Sequence, residues 1–452
     1  MNLGAPPAGG KTISLLTATC IVVANMVGTG IFTSLGFQVG GLPSGFAIMA
    51  LWAVGGVCAL CGALSYAELG AALPRSGGEY HFLGKIYHPA VGFLAGWVSA
   101  TVGFAAPVAL AAMAFGKYLT GVIPGLPSMA FPRGSACPAE TYVALLIVLI
   151  VTLFLLRDVR VGSAFQNAST LLKVALILVV VGAGVVATQA QPVSFLPAAG
   201  DGRLIVSAPF AVSLVYVMYA YSGWNASIYI VGEVRDPART IPLSVGCGTL
   251  AVVLLYLALN AVFLHTTPAE EMKMKVEVGL IAGAHIFGAA GAKIMAGLIC
   301  AGLVSSVSAM MWIGPRVTMA MGEDLPALRA LARKTARGIP VTATLVQFAI
   351  VVALLLTSTF DKVLTYVQFS LQFCSFLTVL GVLVLRRTQP ALPRPYRTWG
   401  YPFTPLFFLA TTAWMLIHIW RANPRESLWG LATMALGLGV YFLAPRPKVG
   451  VK

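Results

Sequence analysis

Two short segments, each set inside an apolar run, carry the residue pattern with the most chemistry to offer. One is Asn25-Met26-Val27-Gly28-Thr29-Gly30-Ile31-Phe32; the other is Tyr219-Ala220-Tyr221-Ser222-Gly223-Trp224-Asn225. In both, small residues sit where a helix would otherwise run on, and each glycine weakens a helix by about 1 kcal/mol relative to alanine. A helix interrupted there leaves amides on one side of the break and carbonyls on the other without partners. Free amides at a helix start hold an anion, and free carbonyls at a helix end hold a cation. The chemistry on offer is therefore recognition of a small zwitterion. Either segment alone is equally well explained by small residues that let helices pack closely.

Few other residues compete for a chemical role. Lys173 lies within the apolar stretch Ser169-Thr170-Leu171-Leu172-Lys173-Val174-Ala175-Leu176. A lysine at mid-bilayer costs ~3 kcal/mol, so a functional reading is the default there. It lies roughly ten residues from the end of its run, near the limit of a snorkelling side chain. Glu68 stands near the end of the second run, where Arg75, Glu233 and Arg316 are candidate partners in a gate; a plain interfacial salt bridge is the competing reading. The histidines His81, His88, His265, His285 and His418 are scattered without metal-ligand spacing, so neither a metal, a cofactor nor an enzymatic centre is expected. Cys58 and Cys61 share an apolar helix with no second ligand pair, and read as two small helix residues.

The elements that must position these groups are transmembrane helices. The chain of 452 residues is 58% hydrophobic and 10% charged, against about 25% charged in a soluble domain. Apolar runs fall near 13–38, 44–73, 90–120, 141–157, 163–188, 206–232, 241–265, 286–315, 340–358, 362–386, 402–421 and 426–443, which makes twelve. Each is about the length that spans a bilayer. The first is read as a retained span, since no small-residue cleavage site follows it. The net charge of +15 comes from basic residues spread between the runs, which excludes a nucleic-acid footprint and indicates loop charges that set topology. With the N-terminus inside, nineteen Lys and Arg lie in inner segments and eight in outer ones, so both termini are expected in the cytoplasm of a cell membrane.

The two interrupted segments then fall in the first and sixth helices, the matching members of two five-helix halves in opposite topology. Such paired interruptions are the best sequence pointer to a transporter's midplane site. The expected divisions are a cytoplasmic N-terminus (1–12), helices one to five (13–188), helices six to ten (206–386), two further helices (402–443) and a cytoplasmic tail (444–452). Chain direction places the amides of Thr29 and Gly30 at a helix start, where they can hold a carboxylate. It places the carbonyls of Met26, Tyr219 and Ser222 where they can hold an ammonium. Together these form a receptor for an α-amino acid built from backbone. No acidic residue is expected near either break, so neutral side chains are expected over basic ones.

These segments also carry a resemblance. Gly28-Thr29-Gly30-Ile31-Phe32 is similar to the G-S/T-G-I-F signature of the amino acid–polyamine–organocation superfamily. Ser65-Tyr66-Ala67-Glu68-Leu69-Gly70 with Pro74-Arg75-Ser76-Gly77-Gly78-Glu79-Tyr80 resembles the helix-two exit of its L-type amino acid transporters. The second interrupted segment, with Glu233 and Asp236-Pro237, resembles the broken sixth helix of the same group, and Arg316, Gly338-Ile339-Pro340 and Arg394-Pro395-Tyr396 fit later blocks. The resemblance implies the LeuT-type fold, an all-α bundle of twelve helices with a five-plus-five inverted repeat, and secondary active transport of amino acids. It implies a substrate site of Met26, Gly28, Thr29, Gly30, Tyr219, Ala220 and Ser222, with Tyr219 as an aromatic lid and Trp224 and Asn225 shaping the side-chain end. Many L-type relatives have glycine where this chain has Ser222, a departure that narrows the pocket. The resemblance also implies that Lys173 takes the place of a sodium ion, with Ser305 and Ser306 supplying oxygens, either as a proton carrier or as a fixed charge. Animal L-type light chains bond a partner glycoprotein through a cysteine between helices three and four; Cys137 lies there, and its surroundings, Arg133-Gly134-Ser135-Ala136-Cys137-Pro138, favour a free thiol. The expected function is a neutral amino-acid exchanger or proton symporter. The alternatives are a carrier of polyamines or cationic amino acids, and a sensor that binds without transporting.

Overall fold

The computed structural model describes the chain apart from residues 1–12, 76, 124, 126–128, 131–135, 157–160, 188–189, 336–337 and 444–452; the side chains at 129–130, 136–137, 161–167 and 233 also lie outside the description. A serine starts the first segment: the Ser14 side chain accepts from the Thr17 amide and so caps α1 (Leu15–Met26). The helix stops, the chain turns through Val27–Thr29, and α2 (Gly30–Gln38) resumes. Ser44 caps α3 (Gly45–Ala72) in the same way. After the short α4 (Glu79–Ile86), α5 (Pro89–Val98) joins α6 (Ala105–Val122) through one π turn at Ser99–Gly103. A two-residue antiparallel ladder, β1 (Met129–Ala130) with β2 (Ala136–Cys137), precedes α7 (Ala139–Leu155) and α8 (Val161–Val185).

The second half begins with α9 (Asp201–Ile205) and α10 (Ala208–Ala220), the latter capped by Ser207. A turn and a 3-10 helix (Ala226–Glu233) follow, then α11 (Pro237–Thr266), α12 (Ala269–Met272) and the long α13 (Val278–Asp324). The chain ends with α14 (Val341–Thr357), α15 (Phe360–Thr388), α16 (Phe403–Ala422) and α17 (Pro424–Leu443). Among the described residues, nine helical segments are long and apolar enough to cross a membrane, with α1 and α2 taken as one; α7, α10 and α14 are shorter apolar helices.

The run 206–232 is interrupted: α10 ends at Ala220 and the chain continues as a turn and a 3-10 helix. Two other runs differ from their expected form. The run 90–120 carries the π turn, a device that re-aims side chains inside an otherwise regular helix. The run 286–315 belongs to a 47-residue helix with a non-helical glycine, Gly288, near its start.

The core forms where α3 packs along α11, α1 lies against α11, and α6 lies along α13. Trp52, Tyr221 and Tyr256 fill its middle with ring centroids 5.2 to 5.9 Å apart. The outer faces of α7, α8, α14 and α17 instead expose Phe154, Leu171, Leu356 and Trp429. Apolar side chains turned outward over so much surface belong against lipid. The result is a multi-pass membrane protein whose two interrupted helices, α1–α2 and α10 with its 3-10 continuation, are enclosed by the others.

Candidate functional site

The two interruptions meet. Gly30, the first residue of α2, lies against Ala220, the last of α10; a Cβ at Gly30 would stand 2.4 Å from the Ala220 Cα. Gly223, with φ +101, lies against the last turn of α1, where a Cβ would stand 2.8 Å from the Asn25 carbonyl. Each break therefore places a glycine on the backbone of the other, and Gly223 also meets a backbone angle that side-chain-bearing residues rarely adopt.

A cavity opens beside this crossing, lined by Asn25, Met26, Gly28, Thr29, Gly30, Tyr219, Ser222 and Ser306, with Pro107, Ala111 and Met310 behind. Six of the expected substrate-site residues thus share one wall. Ala220 does not, because it is covered by Gly30. Trp224 and Asn225 line an adjoining cavity, which shares Asn25, Pro107, Ser222 and Met310 with the first.

The amide end of the site is unblocked. Thr29 occupies the cap position of α2 and its side chain makes no cap hydrogen bond. Its hydroxyl instead pairs with the Tyr219 hydroxyl at 2.6 Å, so the residue suited to capping the helix is turned away from it. The carbonyl end requires a correction. The Met26 carbonyl already accepts from the Tyr256 hydroxyl (2.6 Å) and the Gly28 amide (2.8 Å). The Tyr219 carbonyl accepts from the Ser222 hydroxyl (2.7 Å) and the Ser222 amide (3.0 Å). A carbonyl has two lone pairs, so neither is free for an ammonium group as expected, and Ser222 is left to offer its own carbonyl. Tyr256, on α11, had no signal in the sequence beyond being a polar-tipped aromatic in an apolar run.

Lys173 reaches the back of the first break. Its ammonium donates to the Ser306 hydroxyl at 2.8 Å and to the Ala24 carbonyl at 3.3 Å, and its stem lies on Gly302. Ser305 is not part of this group: its hydroxyl is buried without a hydrogen-bond partner. The expected trio is thus a pair plus a backbone carbonyl.

Among the described residues, Glu68 and Arg75 of the expected gate take separate partners. Glu68 is held by Arg386 through two bonds of 2.9 and 2.7 Å, by the Thr398 amide and hydroxyl at 2.8 and 2.7 Å, and by Arg394 at 3.5 Å. It anchors the segment between α15 and α16. Arg75 pairs with Asp324 at 3.2 Å, and the Tyr80 hydroxyl donates to the same carboxylate at 2.7 Å. Burial, reinforced by Arg75 and Lys85, pushes the nearby His81 imidazole down to about 4, so it adds no charge to this cluster at neutral pH. The Arg316 guanidinium lies over the Trp312 ring at 4.1 Å. The Glu233 side chain and the Cys137 thiol lie outside the described residues.

A carboxylate missed by the sequence reading lines the second cavity. Glu79 is far from both breaks in the chain, yet α4 turns it inward beside Asn25, Ser222, Trp224 and Asn225. The expectation that no acidic residue stands near the breaks is therefore wrong. Among the described residues, no cluster of three His, Cys, Asp or Glu suited to a metal forms.

The family model for amino acid permeases matches residues 13–441. The chain is 24% identical to the b(0,+)-type amino acid transporter 1 of Mus musculus, over 97% of this chain and 89% of that protein. It is 27% identical to the cystine/glutamate transporter of Homo sapiens, over 96% of this chain and 85% of that one. It is 28% identical to the large neutral amino acids transporter small subunit 2 of Rattus norvegicus, over 96% and 80%.

Proposed function

We infer the working of this chain from one premise: it belongs to the amino acid permease family, and it is a membrane transporter of amino acids rather than an enzyme. The observation that carries the mechanism is the uncapped start of α2. There the amides of Thr29 and Gly30 receive the substrate's α-carboxylate, aided by the positive end of the helix dipole. The Ser222 carbonyl takes the α-ammonium, and Tyr219, tied to Thr29, closes over the bound molecule. Met26 and Gly28 complete the wall.

Transport proceeds by alternating access around this site, in a bundle of twelve helices with a five-plus-five inverted repeat and both termini in the cytoplasm. Where α2 and α10 continue away from the crossing, Phe37 stacks on Tyr216 at 5.0 Å and the Tyr216 hydroxyl donates to Asp361 at 2.6 Å. These contacts seal that end as the outer gate. The Arg75–Asp324–Tyr80 cluster seals the other. The chain exchanges neutral amino acids, with Ser222 favouring smaller side chains. The test is counterflow: liposomes preloaded with unlabelled leucine accumulate labelled leucine faster than empty ones, and an absence of that stimulation refutes exchange.

Lys173 supports a second reading, uptake coupled to protons, since its ammonium bonds directly to the break-forming end of α1. Indifference of uptake to an imposed proton gradient rules this out. The rat relative's name makes it a subunit of a larger assembly. For this chain we take Cys137 as a free thiol, and migration unchanged by reductant on a denaturing gel is the expected result.

A further inference from the structure

The side of the bundle turned towards lipid holds a groove of about 660 Å3 between α3, α11 and the segment joining α15 to α16. One wall is a stripe on α11: Arg239, Leu243, Gly246 and Leu250 recur at spacings of three or four residues and so share a face. The other wall is Leu60 and Leu64 of α3. The groove is graded along its length. Arg239 stands exposed in the first turn of α11, and Leu250 lies about 16 Å further along, 47% exposed. Trp399 belongs to the Arg239 end, because the neighbouring Thr398 is bonded to Glu68, one turn beyond Leu64 on α3. Trp399 is 71% exposed, and such a tryptophan settles at the boundary between membrane and water. The arginine end therefore lies at headgroup depth and the leucine end in hydrocarbon. Among the described residues, Arg239 forms no ion pair and no acidic side chain lines the groove.

A purely apolar occupant would cover the leucines and leave the guanidinium without a countercharge. A zwitterionic headgroup brings its own cation beside the phosphate, whereas an anionic one meets both ends of the groove. We propose that the groove seats one anionic phospholipid, with its phosphate on Arg239 and an acyl chain along Leu60, Leu64, Leu243 and Leu250. Gly246 leaves room for that chain, since a Cβ there would meet only the Leu64 Cδ2, at 3.7 Å. The seat is separate from the substrate site, for it shares no lining residue with either cavity at the breaks. A lipid held there bridges α3, α11 and the segment that Glu68 anchors.

Native mass spectrometry of the detergent-purified protein, titrated with phosphatidylglycerol or with phosphatidylcholine of the same acyl chains, tests it. The wild-type protein is expected to retain one phosphatidylglycerol under conditions that strip phosphatidylcholine. Arg239→Gln is expected to weaken phosphatidylglycerol binding about fivefold and to leave phosphatidylcholine unchanged. Arg387→Gln, an exposed arginine outside the groove, is expected to change neither. Gly246→Leu fills the groove without meeting backbone and is expected to abolish retention. Equal retention of the two lipids by the wild type overturns the proposal. Equal weakening by Arg239→Gln and Arg387→Gln also overturns it, because the attraction is then diffuse surface charge. Lipid retained by Gly246→Leu places the seat elsewhere, and a lipid-free dimer assigns the groove to a second copy of the chain; either result refutes the idea. Where Arg239→Gln does not fold, Arg239→Lys and Gly246→Leu decide, the first keeping the preference for phosphatidylglycerol and the second losing the lipid.

Discussion

Replacing Gly30 with alanine probes the crossing of the two breaks. The new Cβ would stand 2.4 Å from the Ala220 Cα, 2.7 Å from its Cβ and 3.0 Å from its amide nitrogen. Real Cβ contacts essentially never fall below 3.0 Å, so α2 and α10 must separate by several tenths of an ångström at least. Overpacking of this kind costs about 1–3 kcal/mol. Gly28 makes the matched control, because a Cβ there meets nothing nearer than the Ser306 hydroxyl at 3.8 Å, yet it projects into the cavity. Thermal melting in detergent, followed by leucine binding, should separate the two. Gly30→Ala loses stability and binding together; Gly28→Ala melts like the wild type and loses binding alone. Adding Ala220→Gly to Gly30→Ala removes the 2.7 Å clash but leaves the one to the Cα, so recovery should be partial. A Gly30→Ala protein with wild-type melting, or full rescue by the second change, refutes the reasoning.

Tyr219→Phe removes the 2.6 Å bond to Thr29 and leaves a buried hydroxyl unpaired, which should weaken leucine binding by about 1 kcal/mol, or roughly fivefold; unchanged affinity argues against the lid. Lys173→Ala should abolish counterflow or flatten its pH profile, since its ammonium bridges Ala24 and Ser306; a normal rate and profile would return the lysine to a packing role. Glu68→Gln should destabilise the protein by roughly 3 kcal/mol, read by thermal melting, because it leaves Arg386 and Arg394 without their shared countercharge. Its transport per folded molecule should be near normal, and a selective loss of transport would restore Glu68 to a gate.

The breaks were legible because they are written in backbone terms: Gly28, Gly30 and Gly223 interrupt helical runs whatever surrounds them. Lys173 was legible because a charge in an apolar run has few explanations. What could not be read was the long-range pairing. Glu68 lies seven residues from Arg75 in sequence but bonds Arg386, and nothing local distinguishes those choices. Glu79 was overlooked because it follows a Pro-Gly loop that reads as surface; only the turn of α4 carries it inside. The occupancy of the Met26 carbonyl depended on Tyr256, some 230 residues away. Spans and interruptions are local properties, whereas partners are set by packing.

The paired glycines have a mechanical consequence. Gly30 bears on Ala220 and Gly223 bears on Asn25, so the contacts run both ways between the two interrupted helices. Beyond them, the segment before α1 is stitched to the one after the 3-10 helix by the Arg235 amide, which donates to the Ile13 carbonyl at 3.0 Å. The two helices are thus meshed like teeth, and neither can tilt without driving the other. Because the nearest obstacle at Gly30 is a main-chain carbon, no smaller side chain opposite can fully relieve a substitution there. Suppressors of such a mutant should therefore arise in the loops that let whole helices shift, away from the crossing itself.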